Sequence, residues 1–319
     1  MAYSSNSPIK PKAALTYMVA LFLGLILPVG YVYGKELMNN KVVKLEDITS
    51  RTQAPVLGEV LYEEDSPNIV VNSNSRSAVA EQFRSIRTNL QYIHGKQEAG
   101  LGKVTLFTSS MSGEGKSFVA SNLAVALAIS GRKTVLLELD LRKPKISKYL
   151  NLNNNTGFSH YLIGKAGHQD IIQPSGIHEN LLVICSGPIP PNPSELLLEN
   201  SVEALIAFLR INFDEIIIDT PPIGLVTDAQ ILSRIADASV YIVRHGYTEI
   251  EQLNQVAQLY DKGIFPKLNI ILNGIQLQGS YGYGYSGYGY GYGYGYYSSD
   301  KPTEKKMSFE FLKSLFKRF

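Results

Sequence analysis

Nine consecutive residues, Ser109-Ser110-Met111-Ser112-Gly113-Glu114-Gly115-Lys116-Ser117, combine the groups needed to hold a phosphate chain. Glycines at 113 and 115 let backbone N–H groups approach a phosphate closely. A helix opening at Lys116 adds partial positive charge at its N-terminus. Lys116 is expected to reach the β- and γ-phosphates, and the Ser117 hydroxyl to ligate Mg²⁺. Ser112, Glu114 and Phe118 complete the expected nucleotide-binding stretch. The usual pattern has Gly where this chain has Ser110, but the closing Gly-Lys-Ser is intact. Two acidic strand ends add to it. Ile216-Ile217-Ile218-Asp219 is a hydrophobic run ending in a carboxylate suited to Mg²⁺, and Leu136-Leu137-Glu138-Leu139-Asp140 is a second. Glu138 and Asp140 are two apart, so on a strand they point the same way. A solvated loop carboxylate is the plain alternative for each. Ligands of open α/β sheets, however, bind at the carboxyl ends of the strands.

The elements around these residues must place them there. Apolar runs at 104–108, 134–139, 181–184, 215–218, 239–243 and 268–272 read as strands. Helical patterns lie at 76–92, 116–129 and 249–262, and a long helix runs from Ser194, as N-cap, to about 209. Continuous apolar strands alternating with helices predict a mostly parallel sheet with helices on both faces, over residues 100–275. The fold class is therefore α/β and P-loop NTPase-like, with Lys116 following the first strand of that run.

Composition excludes several functions. The net charge of +2, from 30 basic and 28 acidic residues, gives no drive towards nucleic acid. The single cysteine, Cys185, excludes a disulfide framework, and no Cys/His spacing suits zinc. Residues 13–34 carry no charge and are long enough, as a helix, to span a bilayer. Tyr17, Tyr31 and Tyr33 sit towards the ends, where an aromatic belt lies, and Pro28 allows a kink. A signal peptide is the rival reading, but the stretch is long for one and no A-x-A site follows. Lys10 and Lys12 precede the span, whereas Lys35, Lys41, Lys44 and Arg51 follow it, which leans towards a cytoplasmic C-terminal side.

The 20 tyrosines and 27 glycines are unevenly spread: nine Tyr and eight Gly fall within residues 279–297. Alternating Gly and Tyr cannot build a core. Alone, such a run reads as a sticky low-complexity linker. Beside a Mg-ATP site it also reads as a flexible set of phenol nucleophiles, Tyr281, Tyr283, Tyr285, Tyr288, Tyr290, Tyr292, Tyr294, Tyr296 and Tyr297. Beyond it, helical spacing puts Phe311, Leu312, Leu315, Phe316 and Phe319 on one face, with Lys313 and Lys317 opposite. That pattern suits an anionic membrane surface or docking on protein.

Phosphate loop, paired acidic strand ends and tyrosine tail, in this order, resemble the bacterial tyrosine autokinases (BY-kinases) of capsular and exopolysaccharide export. The resemblance runs from about Pro11 to Tyr297 and includes Pro55-Val56-Leu57-Gly58-Glu59, Leu139-Asp140-Leu141-Arg142-Lys143-Pro144 and Pro190-Pro191-Asn192-Pro193-Ser194-Glu195. Glu81, Arg84 and Arg87 match the ExxRxxR helix that builds ring-shaped oligomers in the family; without the resemblance they read as a solvated helix face. The expected domains are an N-terminal segment (1–12), a transmembrane helix (13–34), a juxtamembrane linker (35–75), a P-loop tyrosine kinase domain (76–278), the Tyr/Gly tail (279–297) and a basic amphipathic segment (298–319).

The resemblance implies trans-phosphorylation of the tail from Mg-ATP. Lys116, Glu138, Asp140 and Asp219 are then catalytic, with Ser117, Asp140 and Asp219 holding Mg²⁺ and Glu138 as candidate acceptor of the phenol proton. Asn273 resembles an adenine-contacting residue, and equally a turn Asn before Gly274. The implied partners are further copies of the chain, the polysaccharide polymerase and export machinery, a phosphotyrosine phosphatase and membrane lipid. Three departures stand out. Glu138 stands where the family usually has Asp, the region before the span is nearly absent, and residues 298–319 extend beyond the pattern. The first two keep a second function open, an ATP-binding module that switches an exporter without kinase activity. Deviant-Walker partition ATPases carry a signature Lys where this chain has Met111, which argues against that class.

Overall fold

The central strands, apolar along nearly their whole length, can be covered only if both their faces are buried. The computed structural model, which describes residues 13–37, 39–64, 67–95 and 100–276, joins them in one sheet. In chain order the elements are α1 (Ala13–Leu37), α2 (Leu45–Thr49), β1 (Val56–Leu61), α3 (Ala78–His94), β2 (Lys103–Ser109) and α4 (Lys116–Ile129). Then come β3 (Thr134–Glu138), α5 (Ile146–Tyr149), α6 (Phe158–Leu162), β4 (Ile172–Pro174), β5 (Leu181–Ile184) and α7 (Pro193–Leu196). The series ends with α8 (Asn200–Asn212), β6 (Glu215–Asp219), α9 (Asp228–Ser233), β7 (Ala238–Arg244), α10 (Ile250–Asp261) and β8 (Leu268–Ile275). Strand order is β1-β8-β7-β2-β6-β3-β5-β4. All pairings are parallel except β4 with β5.

The period of two along each strand divides the apolar residues between two cores. Val135 and Leu137 face one with Ile216, Ile218, Tyr241 and Val243; Leu136, Ile217, Val240 and Ile242 face the other with α3 and α4. Helices therefore cover both faces, as the strand pattern predicts.

Two expectations change. The 35–75 segment, read as a linker, supplies α2 and the edge strand β1, which pairs in parallel with β8 from Val56↔Ile270 onwards. Gly58 makes this possible: a Cβ there would run into Ile86 of α3, so glycine lets that helix lie against the strand. The long helix from Ser194 is broken into α7 and α8. Asn192 occupies the N-cap position of α7, and the Ser194 hydroxyl donates to Asp228 Oδ1 at 2.6 Å instead of capping.

Helix α1 leaves Leu21, Phe22, Leu25 and Leu27 exposed. Among the described residues no helix is long and apolar enough to cross a membrane. The chain divides into two units, 1–279 and 280–319. The nine tail tyrosines and the 298–319 segment lie outside the described residues.

Candidate active site

The loop between β2 and α4 turns on glycine. Gly113 (φ +96°) and Gly115 (φ +91°, ψ 16°) are left-handed, a conformation that is strained for any side chain bearing a Cβ. A Cβ at Gly115 would also meet the Asn273 amide, which instead donates to the Glu114 carbonyl at 2.9 Å. Asn273, at the end of β8, thereby braces the loop from behind.

Beneath the loop, the carboxyl ends of β3 and β6 bring the charged groups together. Lys116 Nζ lies 2.6 Å from Asp219 Oδ1 and 3.9 Å from Asp140 Oδ2. The Ser117 hydroxyl donates to Asp219 Oδ2 at 2.6 Å. Asp219 is buried, and burial raises its pKa, a shift opposed by the charge of Lys116 and the hydrogen bonds from Lys116 and Ser117. Gly113, Glu114, Gly115, Lys116, Ser117 and Ser112 border one cavity, bounded opposite by Asp140, Lys143, Lys145 and Tyr149. A second cleft is lined by Phe118, Asn273, Val79, Leu61 and Tyr62, and Gly115 borders both.

Known proteins place this arrangement. The ParA model, described as NUBPL iron-transfer P-loop NTPase, matches residues 101–244. Bacillus subtilis (strain 168) tyrosine-protein kinase YwqD is 38% identical over 220 residues, 67% of this chain and 91% of that protein. The chain belongs to the bacterial tyrosine-protein kinases. Escherichia coli K12 tyrosine-protein kinase Etk is 30% identical over 296 residues, and there the chain spans only 40% of the relative's length. The solved structure of the chimerical protein CapA2B2 superposes with a TM-score of 0.65 at 35% identity, covering 72% of this chain and 98% of that one. The chain is thus a nucleotide-binding P-loop enzyme and a tyrosine-protein kinase.

In this kinase Glu138 stands apart from the other candidates. β3 ends at Glu138, so strand alternation does not carry on to Asp140, and the two carboxylates part. Glu138 Oε1 accepts from the N–H groups of Ile146 (2.5 Å) and Ser147 (3.3 Å), the first two residues of α5. Its Oε2 accepts from Ser186 N–H at 3.3 Å. The residue is fully buried, and burial raises its pKa against those three bonds. Its oxygens tie α5 and the loop after β5 to the sheet, and it is not among the residues bordering the cavity, so this geometry lends no support to the expectation of a proton-accepting Glu138. Glu114 is likewise turned inward. Its Oε2 accepts from Met111 N–H at 2.8 Å, and its Oε1 accepts from the Thr248 hydroxyl.

Sequence reasoning missed five side chains. Lys143, Lys145 and Tyr149 border the cavity, and the basic run after Asp140 was the available signal for the lysines. Arg244 donates to the Gly113 carbonyl at 2.6 Å, while the Tyr247 hydroxyl donates to that of Ser112 at 2.9 Å. These contacts join residues more than 130 positions apart, and nothing local announces them.

The candidate subunit-contact residues lie on α3 and already have partners within the chain. Arg84 pairs with Glu81 and donates to the Ser75 carbonyl at 2.6 Å. Arg87 donates to the Ala126 carbonyl at 3.2 Å, in the last turn of α4. Of the three, Glu81 keeps the most exposed side chain, at 52%.

Proposed function

We propose that this kinase transfers the γ-phosphoryl group of Mg-ATP to tyrosines 281–297 of a neighbouring copy, at the cytoplasmic face of a membrane, and so regulates polysaccharide assembly and export. The observation that carries the reading is that Lys116, Ser117 and Asp140 border one cavity, with buried Asp219 bonded to Lys116 and Ser117 behind it, in a chain whose tail holds nine tyrosines.

The donor set fits Mg²⁺: a hydroxyl and two carboxylates are hard oxygen ligands. Ser117, Asp140 and Asp219 would hold it. Bound Mg²⁺ supplies charge neutralisation on the β- and γ-oxygens. The chain's own groups do the rest. The loop N–H groups and Lys116 fix the phosphates, and Lys116 leaves Asp219 to do so. Lys143 and Lys145 add positive charge at the mouth of the cavity. The acceptor phenol oxygen forms a bond to Pγ as the Pγ–O bond to ADP breaks, and the phenol proton passes to water in the cavity. Asn273 and Phe118 border the nucleoside.

Each phosphate adds about −1.5 to −2 charge. Several on one tail repel one another and favour its release from the neighbour's site. Self-association through Glu81, Arg84 and Arg87, and reversal by a phosphotyrosine phosphatase, complete the cycle. Anchoring by residues 13–34 is supported by their lack of charge and the exposed apolar side chains of α1.

A mixing experiment tests transfer between copies. Full-length Lys116→Ala chain, carrying intact tyrosines, is incubated with Mg-ATP and an active chain whose nine tail tyrosines are changed to Phe. Phosphotyrosine on the Lys116→Ala chain is the expected result. Its absence, while wild type labels itself, refutes transfer in trans.

A further inference from the structure

Asn122 is a polar residue, fully buried in the middle of α4, and its side-chain amide fills every hydrogen-bonding position it has. Oδ1 accepts from the N–H groups of Val70 (2.8 Å) and Val71 (3.2 Å). Nδ2 donates to the carbonyls of Asn68 and Phe118, both at 2.9 Å. Residues 67–71 belong to no helix or strand. Their buried backbone therefore finds in one side chain the partners that a sheet would supply. Val70 and Val71 join the core with Phe83, Val119 and Leu123.

This fastening lies next to the second cleft. Phe118, one turn before Asn122, lines that cleft and packs edge-on against Phe83 at 5.9 Å. Two further walls come from either side of the fastened segment: Leu61 and Tyr62 precede it, and Val79 follows it. Arg84 holds the same stretch of chain further along, at the Ser75 carbonyl.

We infer that Asn122 is a positioning residue for nucleotide binding. Its amide fastens residues 67–71 to the helix that begins at Lys116, and so fixes the spacing between Phe118 and the walls formed by Leu61, Tyr62 and Val79. The inference rests on the reading that this cleft receives the nucleoside. With Asn122→Ala, four bonds are lost, two N–H groups are left unpaired in the core, and the cleft no longer has a fixed width. Ground-state affinity falls, while the groups around Lys116 keep their geometry.

The test measures the Kd of a fluorescent ATP analogue, with KM for ATP and kcat, on the full chain. Asn122→Ala is expected to weaken binding and raise KM by at least about fivefold, equivalent to losing about one hydrogen bond's net worth. Its kcat is expected to stay within about twofold, the signature of lost uniform binding. Asn122→Asp keeps the two accepted bonds but sets a carboxyl oxygen against the carbonyls of Asn68 and Phe118, so it too binds more weakly than wild type. Leu127→Ala, a cavity in the same helix away from the segment, serves as the stability control and leaves Kd within about twofold. A Kd for Asn122→Ala no weaker than that of Leu127→Ala overturns the inference. If Asn122→Ala does not fold, a wild-type Kd for Asn122→Asp overturns it instead. Because Kd is read directly, a chain that binds the analogue without modifying tyrosine fails the kinase reading, while the fastening is still judged on Kd.

Discussion

Replacing Glu138 by Gln separates two roles that the sequence alone allows for the same carboxyl group. Gln retains one carbonyl oxygen, which can keep the bonds from Ile146 and Ser147. Its amide NH₂ then faces the N–H of Ser186, so one bond is lost and two buried donors, that N–H and the amide, are left without an acceptor there. A buried donor without a partner costs about 1–3 kcal/mol. At roughly 2–4 °C per kcal/mol for a domain of this size, each lowers the melting temperature by about 3–10 °C. Glu138→Ala releases all three N–H groups and falls further. A missing general base would instead slow phosphoryl transfer by about 10²–10⁴-fold. The assay is differential scanning calorimetry beside initial rates of phosphotyrosine formation, with nucleotide saturating. The structure predicts a destabilised Glu138→Gln enzyme that keeps its rate to within several-fold. A hundredfold slower enzyme at the wild-type melting temperature refutes the reasoning and restores Glu138 as the base.

Two other expectations follow from single positions. Burial raises the Glu215 carboxyl to about 7, and its Oε2 has no hydrogen-bond partner among the described residues. The folded state therefore keeps a proton that the unfolded chain releases near 4.5. The stabilisation is fully present below about pH 4.5 and is lost as pH rises through 7, amounting to about 3 kcal/mol. Thermal melts from pH 5 to pH 8 should show Glu215→Gln flattening that decline and exceeding wild type at pH 8; parallel curves contradict it. Gly115→Ala forces a Cβ into a left-handed position against the Asn273 amide. It should cost about 1–2 kcal/mol of stability and weaken nucleotide binding at least about tenfold in a fluorescence titration, and wild-type affinity would count against the loop geometry.

The central strands were legible because both their faces are buried: 181–184 was read with its observed limits, and 134–139 and 215–218 to within a residue. Helix α4 was read over its full length for the same reason. β1 was not, since Val56–Leu61 carries Gly58 and a charge at Glu59, and its place depends on α3 arriving over that glycine. β4 is three residues at an antiparallel edge, one of them Pro174, too short for any pattern to register. Ser194 was not the N-cap because its hydroxyl is drawn off by Asp228, 34 positions away. The same limit applies at the site. Lys116, Ser117 and the paired acids are announced by spacing. Which acid faces the cavity depends on where β3 stops and on the N–H groups of α5, and Arg244 and Tyr247 reach the loop only once the sheet is assembled.

The most direct measurement is phosphotyrosine mapping by mass spectrometry on the purified full-length chain after incubation with Mg-ATP, beside Lys116→Ala. Phosphate on tyrosines within 281–297 in wild type, and none in Lys116→Ala, is the predicted result. An unmodified tail in a chain that binds nucleotide would contradict the account, and so would equal modification of the Lys116→Ala chain.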